Sequence, residues 1–197
     1  MLIGITGKSG SGKTSVAARI AEERPNTVHL NIDTIGHEVI THPTIIELLQ
    51  QEFDEDLMTD GKIDRKKLGD VVFNSRNRMQ KLTEITWSEM QKMIDQFIEE
   101  NQDKDIILDW LLLPKTEYFK KCDVTILIDV PYEIRLERAM KRDNITAEKF
   151  RERENNSVDF DSSIFDAIFI NEDFEKTCEK VRKKIWKMKL SYLKMER

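Results

Sequence analysis

The residues best suited to chemistry stand near the start of the chain, where residues 7–14 read GKSGSGKT. They fill every fixed position of the pattern G-x-x-x-x-G-K-[ST], between an apolar strand-like run and an amphipathic helical pattern. A loop of this kind points its backbone N–H groups at a phosphate, and the following helix adds its positive dipole end. Lys13 can span β- and γ-phosphates and is predicted to be catalytic, and the Thr14 hydroxyl can enter the shell of Mg²⁺. The segment therefore predicts a nucleoside-triphosphate site. Its predicted nucleotide-binding residues are Gly7, Lys8, Ser9, Gly10, Ser11, Gly12, Lys13, Thr14 and Ser15.

Two acidic residues follow predicted strands, at the sheet edge where ligands of such folds bind. Asp33 follows the second strand, where it could accept the proton of an attacking hydroxyl or hold that hydroxyl in line with the γ-phosphate. Alternatively, Asp33 caps the next helix. Asp109 ends the third strand and either organises Mg²⁺ through its waters or is an ordinary strand-end residue. His37 lies one helical turn beyond Asp33, so it is a candidate for substrate contact or a surface residue.

Three arginines, Arg135, Arg138 and Arg142, are spaced i, i+3 and i+7, so a helix would present them on one face. Phosphoryl transfer needs planar donors that arrive on closure to balance the charge on the γ-phosphoryl oxygens. Arg142 falls at a predicted turn between two helices, as in a lid, and is predicted to be catalytic; Arg138 is predicted to contact the nucleotide. The alternative is a solvated helix on which Glu133 and Glu137 pair with these arginines.

The elements that must position these residues alternate between strands and helices, which favours a parallel sheet within a three-layer α/β/α sandwich. The predicted strands are residues 2–6, 27–32, 106–109, 123–130 and 166–171. Residues 34–104 hold no convincing strand; Asp64 is predicted to cap a helix reaching Phe73, and residues 76–100 form a long helix. We therefore expect a single domain over residues 1–197, with a helical insertion at about 34–104 and a lid at about 142–163.

Composition narrows the class of protein. The 197 residues are 39% hydrophobic and 35% charged, with a net charge of −5, which argues against general affinity for nucleic acid or anionic membranes. Residues 175–197 carry nine Lys or Arg against three acidic residues, which indicates a solvated helix face or, alternatively, a nucleic-acid or partner patch. Two isolated cysteines, no export signal and no apolar run of membrane length predict a cytoplasmic protein. The oligomeric state stays open.

Several segments together resemble one family along nearly the whole chain. They are residues 3–14 (IGITGKSGSGKT), 31–33 with 35–39, 60–69 (DGKIDRKKLG) with Val72 and Phe73, Arg138 with Arg142 and Asp143, and 166–171 (DAIFIN). The first is widespread among phosphate-binding loops, whereas DGKIDRKKLG is much more specific. Together they resemble the dephospho-CoA kinase family, a branch of P-loop NTPases related to the nucleoside-monophosphate kinases.

The resemblance implies an ATP-dependent transfer of the γ-phosphate to the ribose 3′-hydroxyl of dephospho-CoA, the last step of CoA biosynthesis. By this resemblance, Asp33 would be the base, and Lys13 with the loop amides would grip ATP. Thr14 would bind Mg²⁺, and Arg142 would close over the phosphates. The helical insertion would bind the acceptor, with Arg65 as a candidate substrate contact.

The chain departs from the family's pattern on the acceptor side. Asn31 replaces the first acid of an Asp-x-Asp stretch, and Trp87 and Ser88 replace an expected His-Pro pair. Trp110 stands at the start of a Leu-Leu segment where the family has Pro-Leu-Leu. Two alternatives to dephospho-CoA phosphorylation therefore stay open: a related kinase for another nucleotide or small-metabolite hydroxyl, and a non-catalytic ATP-binding regulator.

Overall fold

The computed structural model describes residues 1–54, 56–72, 75–155 and 157–195. The chain divides into two compact units, the first formed by Met1–Asn31 with Asn101–Arg197 and the second by Ile32–Glu100. No helix among the described residues is long and apolar enough to cross a membrane. The acceptor-binding role predicted for the insertion at about 34–104 stays a prediction, as does the lid.

Strands and helices alternate through the first unit, while helices dominate the second. The strands are β1 (Leu2–Thr6), β2 (Thr27–Asn31), β3 (Met58–Thr59), β4 (Lys62–Ile63), β5 (Asp105–Asp109), β6 (Val124–Asp129) and β7 (Ala167–Ile170). The α-helices are α1 (Lys13–Glu23), α2 (Ile32–Val39), α3 (Pro43–Phe53), α4 (Arg65–Val72), α5 (Arg76–Glu100), α6 (Glu117–Lys121), α7 (Tyr132–Asp143), α8 (Ala147–Asn155) and α9 (Phe174–Met195).

The first unit is built on one parallel sheet, called here the main sheet, with the strand order β2-β5-β1-β6-β7 in the described part of the chain. The predicted five-stranded parallel sheet and α/β fold are confirmed. Alternate residues of β1 face opposite sides, as strand geometry requires. Ile3 and Ile5 pack with α1 and α9 on one side, whereas Gly4 faces Leu113 and Cys122 on the other. The core on the α1 side comprises Ile3, Ile5, Val16, Ala17, Ile20, Ile107, Val124, Ile126, Ile128, Cys178, Val181 and Ile185.

The second unit is organised around α5, against which α2, α3 and α4 pack. Met90 and Ile94 of α5 are buried, so this methionine contributes to the core. Asp64 caps α4 as predicted, since its Oδ1 accepts hydrogen bonds from the backbone N–H of Lys66 at 2.8 Å and of Lys67 at 3.3 Å. The predicted end of that helix at Phe73 lies outside the described residues.

Two features of residues 32–64 differ from the sequence prediction. The expectation of no strand within 34–104 is wrong, because β3 and β4 form a short antiparallel hairpin. Its turn residues Asp60 and Gly61 have φ values of 50° and 75°, which suits a tight hairpin turn. The helix after β2 begins at Ile32, two residues earlier than expected, so Asp33 lies in its first turn and not at a preceding cap position.

Candidate phosphate-binding site

The loop between β1 and α1 is shaped by two glycines with left-handed backbone conformations. Gly10 has φ 82° and Gly12 has φ 86°, values that side-chain-bearing residues rarely adopt. Gly12 occupies the N-cap position of α1 and has no side chain to cap it. The first-turn N–H groups of α1 therefore keep their capacity to bind an anion, and the helix dipole favours negative charge there.

The loop is braced from the far edge of the main sheet. Asn171, directly after β7, is buried and donates from Nδ2 to the carbonyl oxygen of Ser11 at 2.8 Å. Arg138 of α7 donates from Nη2 to the carbonyl oxygen of Asn171 at 3.0 Å. A Cβ at Gly12 would collide with the Asn171 amide nitrogen, so the glycine is required by space as well as by φ. Arg138 therefore reaches the loop through Asn171.

Lys13, Thr14 and Asp109 converge where α1 begins and β5 ends. The Lys13 Nζ lies 3.2 Å from Oδ1 of Asp109, whose side chain is fully buried. The Lys13 ammonium also donates to the Thr14 hydroxyl at 3.3 Å. Lys13, predicted to bind phosphate, and Thr14, predicted to bind Mg²⁺, thus lie next to Asp109, the other predicted metal-binding residue.

The Asp109 carboxylate is kept ionised by its surroundings. Burial alone would raise the pKa of Asp109, but hydrogen bonds from His29 and Thr14 and the charge of Lys13 lower it below its usual value. Nε2 of His29, on the neighbouring strand β2, lies 3.4 Å from Oδ2 of Asp109. The site therefore holds a fixed negative charge beside the lysine ammonium.

The donor set fits a hard divalent cation. Magnesium prefers oxygen ligands, and the Thr14 hydroxyl and the Asp109 carboxylate supply them side by side. Oδ1 of Asp109 is buried and accepts no hydrogen bond from the described residues, its recorded contact being the ion pair with Lys13. No cluster of three or more His, Cys, Asp or Glu side chains with metal-binding spacing occurs in the described ranges. A cation here would thus take much of its coordination from phosphate oxygens and water.

Lys8, the first variable residue of the loop motif, is tied to the helix that follows α7. Its Nζ donates to Oε1 of Glu154 at 3.1 Å and to Oδ1 of Asp159 at 2.6 Å. Glu154 in turn receives two hydrogen bonds from the Arg135 guanidinium, at 2.8 and 2.9 Å. Burial would raise the pKa of Glu154, but Arg135 and Lys8 lower it. Arg135 is buried, and its guanidinium is engaged by Glu154.

Arg142 lies in the last turn of α7, since that helix continues to Asp143, and not in the turn predicted from sequence. The turn comes at Asn144, which has φ 50° and ends the helix. Arg142 donates from Nη2 to the Ser9 hydroxyl at 3.2 Å and pairs with Asp143 at 2.7 Å. Its side chain is 61% exposed, so the guanidinium lies at the loop and is open to solvent.

The predicted acceptor-side residues lie in the second unit. Asp33 is exposed in the first turn of α2. His37, on the same helix, lies beside Arg65, whose Nη1 is 3.0 Å from Nδ1 of His37. Burial and the charge of Arg65 lower the pKa of His37, so its ring is neutral near pH 7 and can accept that hydrogen bond. Two residues that are distant in sequence thus form one polar pair.

Sequence reasoning missed three residues of this site: Asn171, Glu154 and His29. Asn171 was assigned to the last strand without a role, although a polar residue directly after a strand was a usable signal. His29 lies on β2, which pairs with β5 in the main sheet, and so comes within reach of Asp109. No spacing rule connects Glu154 with Lys8, because 146 residues separate them.

Comparison with known proteins gives one consistent family. Residues 1–172 match the model of the dephospho-CoA kinase family. The dephospho-CoA kinase of Aquifex aeolicus is 31% identical over 187 residues, covering 92% of this chain and 94% of that protein. The dephospho-CoA kinase of Dehalococcoides mccartyi is 30% identical over 175 residues, covering 86% of this chain and 87% of that protein.

Solved structures show the same fold. The crystal structure of TT1252 from Thermus thermophilus matches with a TM-score of 0.78 at 24% identity, covering 94% of this chain and 96% of that one. The dephospho-CoA kinase from Campylobacter jejuni matches with a TM-score of 0.59 at 22% identity, covering 95% and 96% of the two chains.

Proposed function

Because the chain belongs to the dephospho-CoA kinase family, we propose that it transfers the γ-phosphate of ATP to the 3′-hydroxyl of dephospho-CoA, giving CoA and ADP. It is accordingly a phosphotransferase with an alcohol group as acceptor. The observation that carries the proposal is the convergence of Lys13, Thr14 and Asp109 beside the glycine loop. That arrangement suits a triphosphate with a divalent cation.

On the donor side, the N–H groups of the loop and of the first turn of α1 bind phosphate oxygens. Lys13 moves its ammonium from Asp109 to the β- and γ-phosphates, where a cation stabilises the charge that shifts to the leaving oxygen. Arg142, already in contact with Ser9, closes its guanidinium over the γ-phosphoryl oxygens. Arg138 supports the loop through Asn171, and it offers a second cation, beside Arg142, for the bound phosphates.

Thr14 and Asp109 would hold Mg²⁺, the first by its hydroxyl and the second by its ionised carboxylate. When bound, Mg²⁺ neutralises charge on the phosphates. His29 orients the Asp109 carboxylate from the neighbouring strand.

On the acceptor side, the oxygen of the 3′-hydroxyl attacks the γ-phosphorus, and Asp33 accepts the proton of that hydroxyl. The bond between the γ-phosphorus and the ADP oxygen breaks in the same step. Asn31, the last residue of β2, pairs with Asp109 in the sheet register, and Asp33 follows two residues later in the chain. That connectivity supports Asp33 as the base. Arg65 and His37 are proposed to contact the acceptor. Arg65 either binds a phosphate of the acceptor itself or acts by holding the His37 imidazole in place.

We assign acceptor binding to the second unit, Ile32–Glu100, and lid closure to residues 142–163. We also propose that the protein acts in the cytoplasm on a small-molecule acceptor, without a nucleic-acid or membrane partner. Both Cys122 and Cys178 are free thiols, in keeping with a reducing compartment.

A coupled assay of ADP release over a panel of acceptors tests the proposal. The panel contains dephospho-CoA, adenosine, the common nucleoside monophosphates and shikimate, each with ATP and Mg²⁺. ADP release that depends on dephospho-CoA, with CoA as the product by mass spectrometry, is the expected result. Release that depends on another acceptor would replace the assigned substrate, and ATP binding without acceptor-dependent release would indicate a non-catalytic regulator.

A further inference from the structure

A cavity of about 520 Å³ lies at the amino edge of the main sheet, where β5 begins, between the end of α1 and the middle of α9. Its lining residues are Arg24, Pro25, Asp105, Arg182, Lys183, Trp186, Lys187 and Lys189. The volume lies within the range of small-molecule sites, which is about 300–1,000 Å³. Asp105 begins β5 and Asp109 ends it, so roughly 13 Å of strand separates the cavity from the phosphate loop.

The cavity lining carries more basic than acidic side chains. Five of its lining residues are Arg or Lys, against one acid. That acid, Asp105, is buried and already holds hydrogen bonds from Arg24 at 2.8 Å and from Lys189 at 2.8 and 3.0 Å. The amino group of Met1 lies 3.5 Å from the same carboxylate. Asp105 is therefore more than neutralised, and it does not oppose the entry of an anion.

Two of the cations are shared with acids outside the cavity lining. Arg182 pairs with Glu23 at 2.7 Å, and Lys183 pairs with Glu179 at 2.5 Å. Lys187 has no ion pair within the described part of the chain. Arg24 is nine-tenths buried, and its Nε finds no hydrogen-bond partner among the described residues. The cationic side is thus only partly satisfied by the protein itself.

An aromatic ring completes the cavity. Trp186 is 56% exposed, although tryptophan is highly buried on average. Pro25 lies on the same lining, and the lysine stems add apolar surface beside the indole ring. An indole face with cations beside it suits a ligand that has both a planar ring and a negative charge.

We propose that this cavity is a second ligand site and that it binds a nucleoside phosphate. The base stacks on Trp186, and the phosphate is held by Lys187, while Lys189 and Arg182 keep their ion pairs with Asp105 and Glu23 and lie beside it. A simple inorganic anion would leave the indole unused, and an uncharged aromatic ligand would leave Lys187 without an ionic partner. Since the amino edge is remote from the phosphate loop, occupancy here is separate from the donor nucleotide.

Tryptophan fluorescence of the full chain, titrated with ADP, reads this site directly. Trp110 and Trp87 also emit, so the same titration of Trp186→Phe supplies the background. We expect a saturable change in emission that is lost in Trp186→Phe. Lys187→Glu should move its midpoint to at least about threefold higher ADP, because a negative charge then faces the phosphate. The matched control is Lys176→Glu, an exposed position on the same helix outside the cavity, which should leave the midpoint unchanged.

Four outcomes overturn the proposal. The first is the absence of a signal that depends on Trp186. The second is inorganic phosphate giving the same response at the same midpoint as ADP, which would mark a general anion site. The third is a thymidine oligonucleotide binding more tightly than ADP, which would mark a nucleic-acid surface. The fourth is a midpoint that moves with protein concentration, which would indicate contact with a second copy of the chain.

The second ligand site can be tested independently of the assigned reaction. The fluorescence measurement requires no turnover, and Trp186→Phe leaves every residue assigned to phosphoryl transfer in place. Loss of acceptor-dependent ADP release with an intact fluorescence response would remove the assigned reaction alone. Intact acceptor-dependent ADP release without a fluorescence response that depends on Trp186 would remove the second site alone.

Discussion

Lys13, the first residue of α1, forms an ion pair of 3.2 Å with Asp109, the last residue of β5. Lys13 of the loop motif is thus held next to the Asp109 carboxylate, at the end of the strand that pairs with β1. This pair orients the ammonium at the loop, and it keeps a buried carboxylate compensated. In the proposed reaction, binding of a triphosphate exchanges one anionic partner of Lys13 for another.

Lys13→Ala removes the cation that we propose stabilises the transferred phosphoryl group. We expect kcat/KM for ATP to fall by about 10²–10³, the usual effect of losing one preorganised charge or donor. Steady-state kinetics measure this, with Lys120→Ala, an exposed lysine on α6, as the control. Unchanged kinetics in Lys13→Ala would contradict the assignment of the site.

Gly12→Ala tests the geometry of the loop. A Cβ there meets the Asn171 amide and must also adopt φ 86°, so we expect both ATP binding and thermal stability to fall. The matched control is Gly61→Ala, where φ is 75° but no atom lies within 4 Å of the added Cβ. That variant should lose only about 1 kcal/mol through backbone strain and keep its ATP affinity. Equal loss of ATP affinity in both variants would show that the clash is irrelevant.

Glu154→Gln tests the connection between the loop and the helix after α7. Glutamine keeps one acceptor but loses the charge shared by Arg135 and Lys8, so stability should fall by about 1–3 kcal/mol. The KM for ATP should rise while kcat changes little, because the role is positioning. Asp159→Asn is the control, since Asp159 is 92% exposed, and it should leave both quantities unchanged. A double-mutant cycle of Glu154→Gln with Lys8→Met that shows no coupling would refute the connection.

Asp105 predicts how stability depends on pH. Burial alone would raise the pKa of Asp105, but Lys189, Arg24 and the amino terminus lower it. A carboxylate with a depressed pKa in the folded state stabilises above its unfolded pKa of about 3.9, and the contribution is lost as pH falls through the folded pKa. Asp105→Asn should therefore cost about 2–3 kcal/mol at pH 7, since its cationic partners are left unpaired.

The difference in the free energy of unfolding between wild type and Asp105→Asn should become smaller below pH 4. Urea unfolding at pH 7, 5 and 3 measures it. Glu179→Gln, which breaks an exposed ion pair on α9, provides the control and should follow wild type. A difference that stays constant over this pH range would exclude the ionised carboxylate as its source.

Asp33→Asn separates chemistry from ATP binding. The variant keeps the size of the side chain but cannot take a proton, so kcat should fall by about 10²–10⁴ while the KM for ATP is unchanged. Glu38→Gln, an exposed acid on the same helix, is the control. Full activity in Asp33→Asn would remove that residue from the role of base.

Much of the fold could be predicted because its signals are local. The helix α5 begins and ends at the predicted residues 76 and 100, since its apolar spacing is read within a few turns. The short hairpin of β3 and β4 was missed, because two-residue strands leave no periodic pattern. The site prediction was strongest in the loop, where the motif is continuous along the chain.

The sequence by itself determined the phosphate loop and the parallel sheet, because backbone conformation, strand periodicity and helix capping depend on neighbouring residues. Only the tertiary structure decided which side chains meet there. Asn171 reaches Ser11 across 160 residues, and Glu154 reaches Lys8 across 146. Such contacts depend on strand order and helix packing, which bring distant segments together without any pattern in the intervening chain. The same reason applies to Trp186 and Asp105, which line one cavity because the tertiary structure brings α9 beside the start of β5, where Lys189 donates to Asp105.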